Sequence, residues 1–281
     1  MHRALNNPNL HNLQQNRGHI RSQMANKQKI RIASLSPKRE MVSVRKPRSK
    51  NPNLGRDALG LYIKSPEKYD TSMVVSYNDE FVVIKDKFPK SSVHMLILPR
   101  DSKYSRLHPF EAFEYAEFLA SVQLQLKKVK EMVVNEIRNR YGIFSLKDAQ
   151  RENLLREGRA VESEIEEDDR RQPLMGRNWD AEVISGIHAR PSMNHLHIHV
   201  LSIDRLSDSL KHRKHYNSFT TNFFIPLEDF PLPSDDVRRF PEREGYLNSE
   251  LKCWRCGKNF GNKFSNLKKH LSDEFEEWKR V

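Results

Sequence analysis

The spacing of apolar residues along this chain changes twice, and each change marks a different kind of element. Residues 73–77 and 81–85 are rich in β-branched and aromatic side chains and flank a turn at Asn78-Asp79, and residues 93–98 add a further strand. From about residue 109 to 138 the period lengthens. Phe113, Ala116, Phe118, Leu119, Val122, Leu126, Val129 and Val133 recur at three- and four-residue intervals, which predicts one long amphipathic helix. Residues 183–188 and 195–203 return to strand character. This order predicts an α+β fold with a mostly antiparallel sheet. No internal repeat and no glycine-rich phosphate loop interrupts it.

The last of these strands carries the chemistry. Residues 195–201 read His-Leu-His-Ile-His-Val-Leu, three histidines in strict alternation with aliphatic residues. Successive strand side chains point to opposite faces, so His195, His197 and His199 line one face while Leu196, Ile198 and Val200 anchor the other. A helix would instead turn His197 roughly 200° away from its two neighbours. Three readings of the imidazole row compete: incidental histidines on a polar face, a metal site, and phosphoryl or nucleotidyl transfer through a phosphorus–nitrogen intermediate. Asp204 is the only obvious nearby carboxylate, a thin second shell for a metal. Neutral imidazole is a good nucleophile near pH 7, and flanking imidazoles can donate to phosphoryl oxygens, which favours the third reading.

Charge is unevenly spread. The formal net charge is +12, yet residues 1–56 hold 13 Lys/Arg against Glu40 alone, leaving 36 bases and 36 acids from totals of 49 and 37. This leader is rich in Asn and Gln and is broken by Pro8, Pro37, Pro47 and Pro52, a composition that cannot bury enough apolar surface to fold alone. Its basic clusters at 37–39 and 45–50 suit nuclear import or phosphate contact, with a solvated tail as the plain alternative and a mitochondrial presequence as the minority one. No apolar run approaches the ~18 residues of a membrane span. Residues 140–178 match no element, and with the acidic run at 162–169 they read as a charged insertion, partly helical or disordered and without a catalytic role.

Both cysteines lie near the carboxyl end, as Cys253-Trp-Arg-Cys256. A redox pair would need a strand-to-helix context that the sequence does not supply. His270 and Glu274 follow at i,i+4 and share a helix face, with Leu267 and Leu271 available for packing. Two thiolates, an imidazole and a carboxylate close a four-coordinate zinc site, a finger whose last ligand is Glu where His is usual. The alternative is a coincidental thiol pair beside a charged helix.

With these residues in view, the sequence resembles the histidine-triad superfamily, and more narrowly the aprataxin family of DNA deadenylases. The likeness covers roughly residues 57–139 and 180–281: Phe81 through Lys90 running on to Val93 through Pro99, Pro191-Ser-Met-Asn194 before the triad, Leu210 through Phe219 after it, and the finger. The resemblance implies a histidine-triad fold with a small zinc finger. Its expected divisions are a disordered basic leader at 1–55, a catalytic domain at 56–235 and the finger at 245–281.

It also implies an activity and its residues. His197 would attack the α-phosphorus of AMP joined to a DNA 5′ end, His195 and His199 would orient phosphate oxygens and set the nucleophile's protonation, and covalent AMP–His197 would then be hydrolysed. Lys90 and His94 match a Lys-x-x-x-His element used at the adenylate, and Ser192, Lys214 and His215 match phosphate-contacting positions. Cys253, Cys256, His270 and Glu274 would hold structural zinc, with no catalytic metal. The expected partners are 5′-adenylated DNA, double-stranded or nicked, with RNA–DNA junctions as a further class and AMP as product, in the nucleus and without a membrane. The chain departs from the family in lacking a forkhead-associated domain and in carrying Ser92 where some relatives have Arg. Where relatives place an aromatic wedge against the DNA end, near the start of the first helix, this chain reads Leu54-Gly-Arg56, so Leu54, Leu61 or Tyr62 would have to serve. Fungal relatives share the missing domain and the finger ending in Glu. The rival readings are a general dinucleoside-polyphosphate or phosphoramidate hydrolase and a non-catalytic nucleic-acid adaptor.

Overall fold

The computed structural model describes residues 55–156 and 176–281; the expected leader up to residue 54 and the acidic run at 162–169 lie outside them. Among the described residues six strands form one sheet: β1 (Val74–Tyr77), β2 (Phe81–Lys85), β3 (His94–Pro99), β4 (Val183–His188), β5 (Ile198–Ser202) and β6 (Phe224–Pro226), in the order β1-β2-β3-β5-β4-β6. Every ladder is antiparallel, as expected. Among the described residues seven α-helices accompany the sheet: α1 (Leu59–Lys64), α2 (Pro109–Ala112), α3 (Ala116–Tyr141), α4 (Leu146–Arg156), α5 (Arg213–Thr220), α6 (Pro241–Glu244) and α7 (Phe264–Arg280). None is long and apolar enough to cross a membrane.

One face of the sheet is closed by α3. Its Val122, Val129, Val133 and Ile137 have no exposed surface and join Val83, Ile97, Ile198 and Val200 of the strands in one core. Burial of each such side chain contributes about 1.5–3 kcal/mol. On the other face α1 covers the β1–β3 half through Leu59, packed with Val74, Val82, Ile84, Leu96 and Leu98. The opposite half of that face carries histidines.

Two elements differ from the sequence expectation. The predicted long helix is broken between α2 and α3, where Tyr115 adopts an extended conformation as the residue before α3. The break lets Phe113 sink between Phe118 and Phe230 while Tyr115 turns out against Tyr104 and Lys103. The triad strand begins only at Ile198, opposite Ile97. Upstream of it the backbone donors go to loops: Asn194 N–H to the Arg56 carbonyl and Leu196 N–H to the Ser105 carbonyl, each bond near 3 Å. Alternation survives this, because Leu196, Ile198 and Val200 all face the α3 core.

The carboxyl-terminal helix returns to the body of the molecule. Trp278 is buried against Tyr141, Phe275 and Trp179, and its indole N–H donates to Glu182 Oε2 at 2.6 Å. The Arg177 guanidinium lies 4.2 Å from the Trp179 ring and 4.6 Å from the Trp278 ring, and pairs with Glu182 Oε1 at 3.0 Å. The margins of the expected insertion are therefore ordered parts of the fold, with α4 supplying the helical portion. Because Trp278 fills a site shared by α3, α7 and the segment before β4, Trp278→Ala should cost about 3–5 kcal/mol, measured as a fall in the urea unfolding midpoint.

Candidate active site

Three adjacent strands bring imidazoles together on the sheet face that α3 does not cover. His94 opens β3, His199 lies in β5, and His188 ends β4 two residues beyond Gly186, the register partner of His199. His197 precedes β5, with its ring centroid 4.9 Å from that of His199. His94, His197 and His199 are buried, and His188 is half-buried. Burial penalises the charged ring, and it pushes His94 down to about 4, lowers His197, and holds His188 and His199 well below the ordinary imidazole value.

Because the rings are neutral, their hydrogen bonds assign their tautomers. His197 Nδ1 lies 2.8 Å from the His195 carbonyl oxygen. A carbonyl only accepts, so Nδ1 carries the proton and Nε2 keeps a free lone pair. At His94 the backbone N–H of Lys90 donates to Nδ1 at 3.1 Å, which puts the ring proton on Nε2. That proton is donated to His199 Nδ1 at 3.0 Å, leaving His199 Nε2–H buried with no partner among the described residues. The Asp86 carboxylate, 3.3 Å from His94 Nδ1, is the group that offsets the effect of burial there.

His197, His199 and His188 line a cavity of about 580 Å³, within the range of nucleotide-sized ligands. Leu59, Tyr62, Ile84, Leu96 and Met193 make one side apolar. Lys90, Arg190, Ser192, Lys214 and His215 make the other polar and basic. Burial, with help from His212 and Lys90, depresses His215 to about 4, and its ring lies 3.6 Å from that of His212. Burial also lowers Lys90.

Of the residues expected at the site, the fold therefore gathers His197, His199, Lys90, Ser192, Lys214 and His215 around one cavity. His94 stands behind His199 as its partner. His195 does not line the cavity but packs under α1, so close to Gly60 that a Cβ at that position would lie 2.7 Å from its ring. Tyr62 is engaged with Tyr69, whereas Leu61 is 64% exposed at the cavity wall. Ser92 is turned away, donating to Asp204 through both its hydroxyl and its backbone N–H.

At the carboxyl end, donor atoms of Cys253, Cys256, His270 and Glu274 all lie within 4.8 Å of one another, a fit to tetrahedral zinc. His270 Nε2 is 3.1 Å from Cys256 Sγ and 3.2 Å from Glu274 Oε1. The finger is joined to the body through α5. Leu210 and Tyr216 share a core with Leu251, Cys253, Leu267 and Leu271, and the Tyr216 hydroxyl accepts from the Trp254 N–H and donates to the Lys252 carbonyl.

Residues 67–206 match the HIT domain family, and residues 220–277 match the C2HE / C2H2 / C2HC zinc-binding finger. The aprataxin-like protein of Saccharomyces cerevisiae is 37% identical over 78% of this chain and 95% of its own length. That of Schizosaccharomyces pombe is 32% identical over 79% of this chain and 82% of its own length. The chain belongs to the aprataxin family. The crystal structure of the aprataxin orthologue Hnt3 in complex with DNA superposes with a TM-score of 0.59 at 30% identity, covering 80% of this chain and 96% of that one. The fold is thus the histidine-triad fold with a zinc finger, and this aprataxin family member is a hydrolase of that class.

Sequence reasoning missed His188 and Asp86. His188 ends a strand whose other residues it reads as core, and its proximity to His199 depends on a strand order that periodicity does not specify. A signal was present in its parity with Ile184 and Gly186, which puts it on the face opposite Val183 and Ile187.

The buried neutral histidines make stability pH-dependent. Their folded pKa values lie below the unfolded value of roughly 6.5, so below that pH the unfolded chain binds protons that the folded chain refuses. Stability should hold above about pH 6.5 and fall steadily toward pH 4, where His94 and His215 titrate in the fold. Urea midpoints measured from pH 7.5 to 4.5 should fall with pH; a flat profile would contradict the burial of neutral rings.

Proposed function

We propose that this protein removes AMP from 5′-adenylated DNA ends in the nucleus, acting on blunt, nicked and RNA–DNA junction substrates through a covalent AMP–His197 intermediate. One observation carries the reading. His197 donates its Nδ1 proton to the His195 carbonyl and so keeps a nucleophilic Nε2 at a cavity that is apolar on one side and basic on the other. The DNA-bound structures of the related Hnt3 support the choice of a nucleic-acid substrate.

In the first step His197 Nε2 attacks the α-phosphorus. An N–P bond forms, the P–O bond to the DNA 5′-phosphate breaks, and the electron pair leaves with that phosphate oxygen. The ring becomes cationic as it is adenylylated, and the His195 carbonyl stabilises that charge through Nδ1–H. In the second step the oxygen of water bonds to phosphorus, water releases a proton to solvent, and Nε2 leaves with its electron pair to regenerate neutral His197 and AMP. His199 Nε2–H, its tautomer set by His94, donates to a non-bridging phosphate oxygen. Lys90, Lys214, Ser192 and His215 hold the phosphates, and the base occupies the apolar side. Leu61, exposed at the rim, is the residue best disposed to meet the DNA end. Zinc on Cys253, Cys256, His270 and Glu274 folds the finger and supplies no chemistry to either step.

His197→Ala should abolish turnover while leaving DNA affinity within a few fold, and His195→Ala should be milder. Acid-labile, base-stable labelling by radioactive AMP should map to His197, and a label retained in His197→Ala would reject it as the nucleophile.

Phosphate contacts beyond the scissile linkage are available only on DNA, so their binding energy should appear as substrate preference. kcat/KM should favour adenylated duplex over diadenosine tetraphosphate by at least about a hundredfold, which requires ~3 kcal/mol of extra transition-state stabilisation. The gap should narrow as salt rises, because each phosphate contact releases counterions. Equal efficiency on both substrates at low salt would assign the protein as a general nucleotide hydrolase.

A further inference from the structure

We propose that Arg255 is a positioning residue of the finger's metal centre, holding Glu274 in ligating geometry and cancelling the charge that a carboxylate ligand adds. The two oxygens of Glu274 are divided between two tasks. Oε1 faces His270 Nε2 at 3.2 Å, among the converging donors, while Oε2 accepts from Arg255 Nη1 at 2.8 Å. Bound in this way the carboxylate offers the metal one oxygen in a fixed direction, which suits a four-coordinate site. Without Arg255 it is free to rotate or to chelate through both oxygens.

The charge argument is independent of the geometry. Two thiolates, one carboxylate and one neutral imidazole around Zn²⁺ sum to −1, whereas two thiolates and two imidazoles sum to zero. The Arg255 guanidinium restores neutrality where Glu replaces the second histidine. Its place is set by the cysteine knuckle. Arg255 sits between Trp254 and Cys256, and Trp254 is anchored to the body by its N–H on the Tyr216 hydroxyl at 2.9 Å and its indole N–H on the Asp204 carbonyl at 3.2 Å. Gly257, at φ +73°, turns the chain so that its N–H reaches the Cys253 carbonyl at 3.0 Å. Among the described residues Glu274 is the acid paired with Arg255. Outer partners that orient a ligand in this way commonly tune metal affinity.

The test is a double-mutant cycle on the full chain, with zinc affinity read by competition against a chromophoric chelator. Arg255→Ala should weaken zinc binding by about ten- to a hundredfold, and Arg255→Lys, which keeps the charge, should recover part of that loss. In a Glu274→His background, where the carboxylate and its charge are gone, Arg255→Ala should change affinity by no more than about twofold. An equal loss in both backgrounds would overturn the proposal, since Arg255 would then support the knuckle and not the carboxylate. Unchanged affinity in Arg255→Ala alone, or no recovery with Arg255→Lys, would also overturn it.

Discussion

Burial of the imidazoles is the constraint on which the site depends. A charged ring in this environment would lack solvation, so His94, His188, His197 and His199 sit in the fold as neutral rings. A neutral ring has one donor and one acceptor, and here the surroundings decide which nitrogen is which. The His195 carbonyl can only accept and the Lys90 N–H can only donate. From those two backbone groups follow a free lone pair on His197 and a free donor on His199, the two functions that attack at phosphorus requires. In the proposed mechanism, no charged general base is then needed to prepare His197.

The same economy ties the finger to the active site. The loop carrying Lys90 and His94 is held by Ser92, whose partner Asp204 also accepts from the Leu206 N–H and the Ser202 hydroxyl. The Asp204 carbonyl accepts from the indole N–H of Trp254, one of the two residues between the finger's cysteines. On the far side, Trp278 and Arg177 fasten α7 to the segment leading into β4, the strand that ends in His188. Metal loading of the finger and order at the catalytic face therefore share hydrogen-bonded neighbours.

The sequence made the fold class and the triad legible because both rest on short-range periodicity. Strands β2 and β4 stand where apolar runs predicted them, and Leu196, Ile198 and Val200 face the core as alternation requires. The metal ligands were legible for the same reason, since Cys-x-x-Cys and an i,i+4 pair are local geometry. What stayed hidden depends on tertiary contact. The break after Phe113 comes from aromatic packing against Phe230, more than a hundred residues away. His188 becomes part of the site only because β4 pairs with β5. His195 looked equivalent to its two neighbours, yet loop donors at Asn194 and Leu196 keep it out of the ladder and beneath α1.

Ser92 illustrates how a local departure from a family pattern is absorbed. An arginine there would be expected to reach toward phosphate, and its replacement would be expected to thin the contacts. In this chain both donors of Ser92 are spent on Asp204, a buried carboxylate that would be costly without them. Ser92 thus acts on the cavity indirectly, by fixing the segment that presents Lys90 and the N–H that sets the tautomer of His94. The cationic wall of the cavity is then left to Lys90, Arg190 and Lys214, side chains from three separate segments. Replacing Ser92 by a long cation would add charge near the rim only by removing the hydroxyl donor that helps keep Asp204, and with it the Lys90–His94 segment, in place.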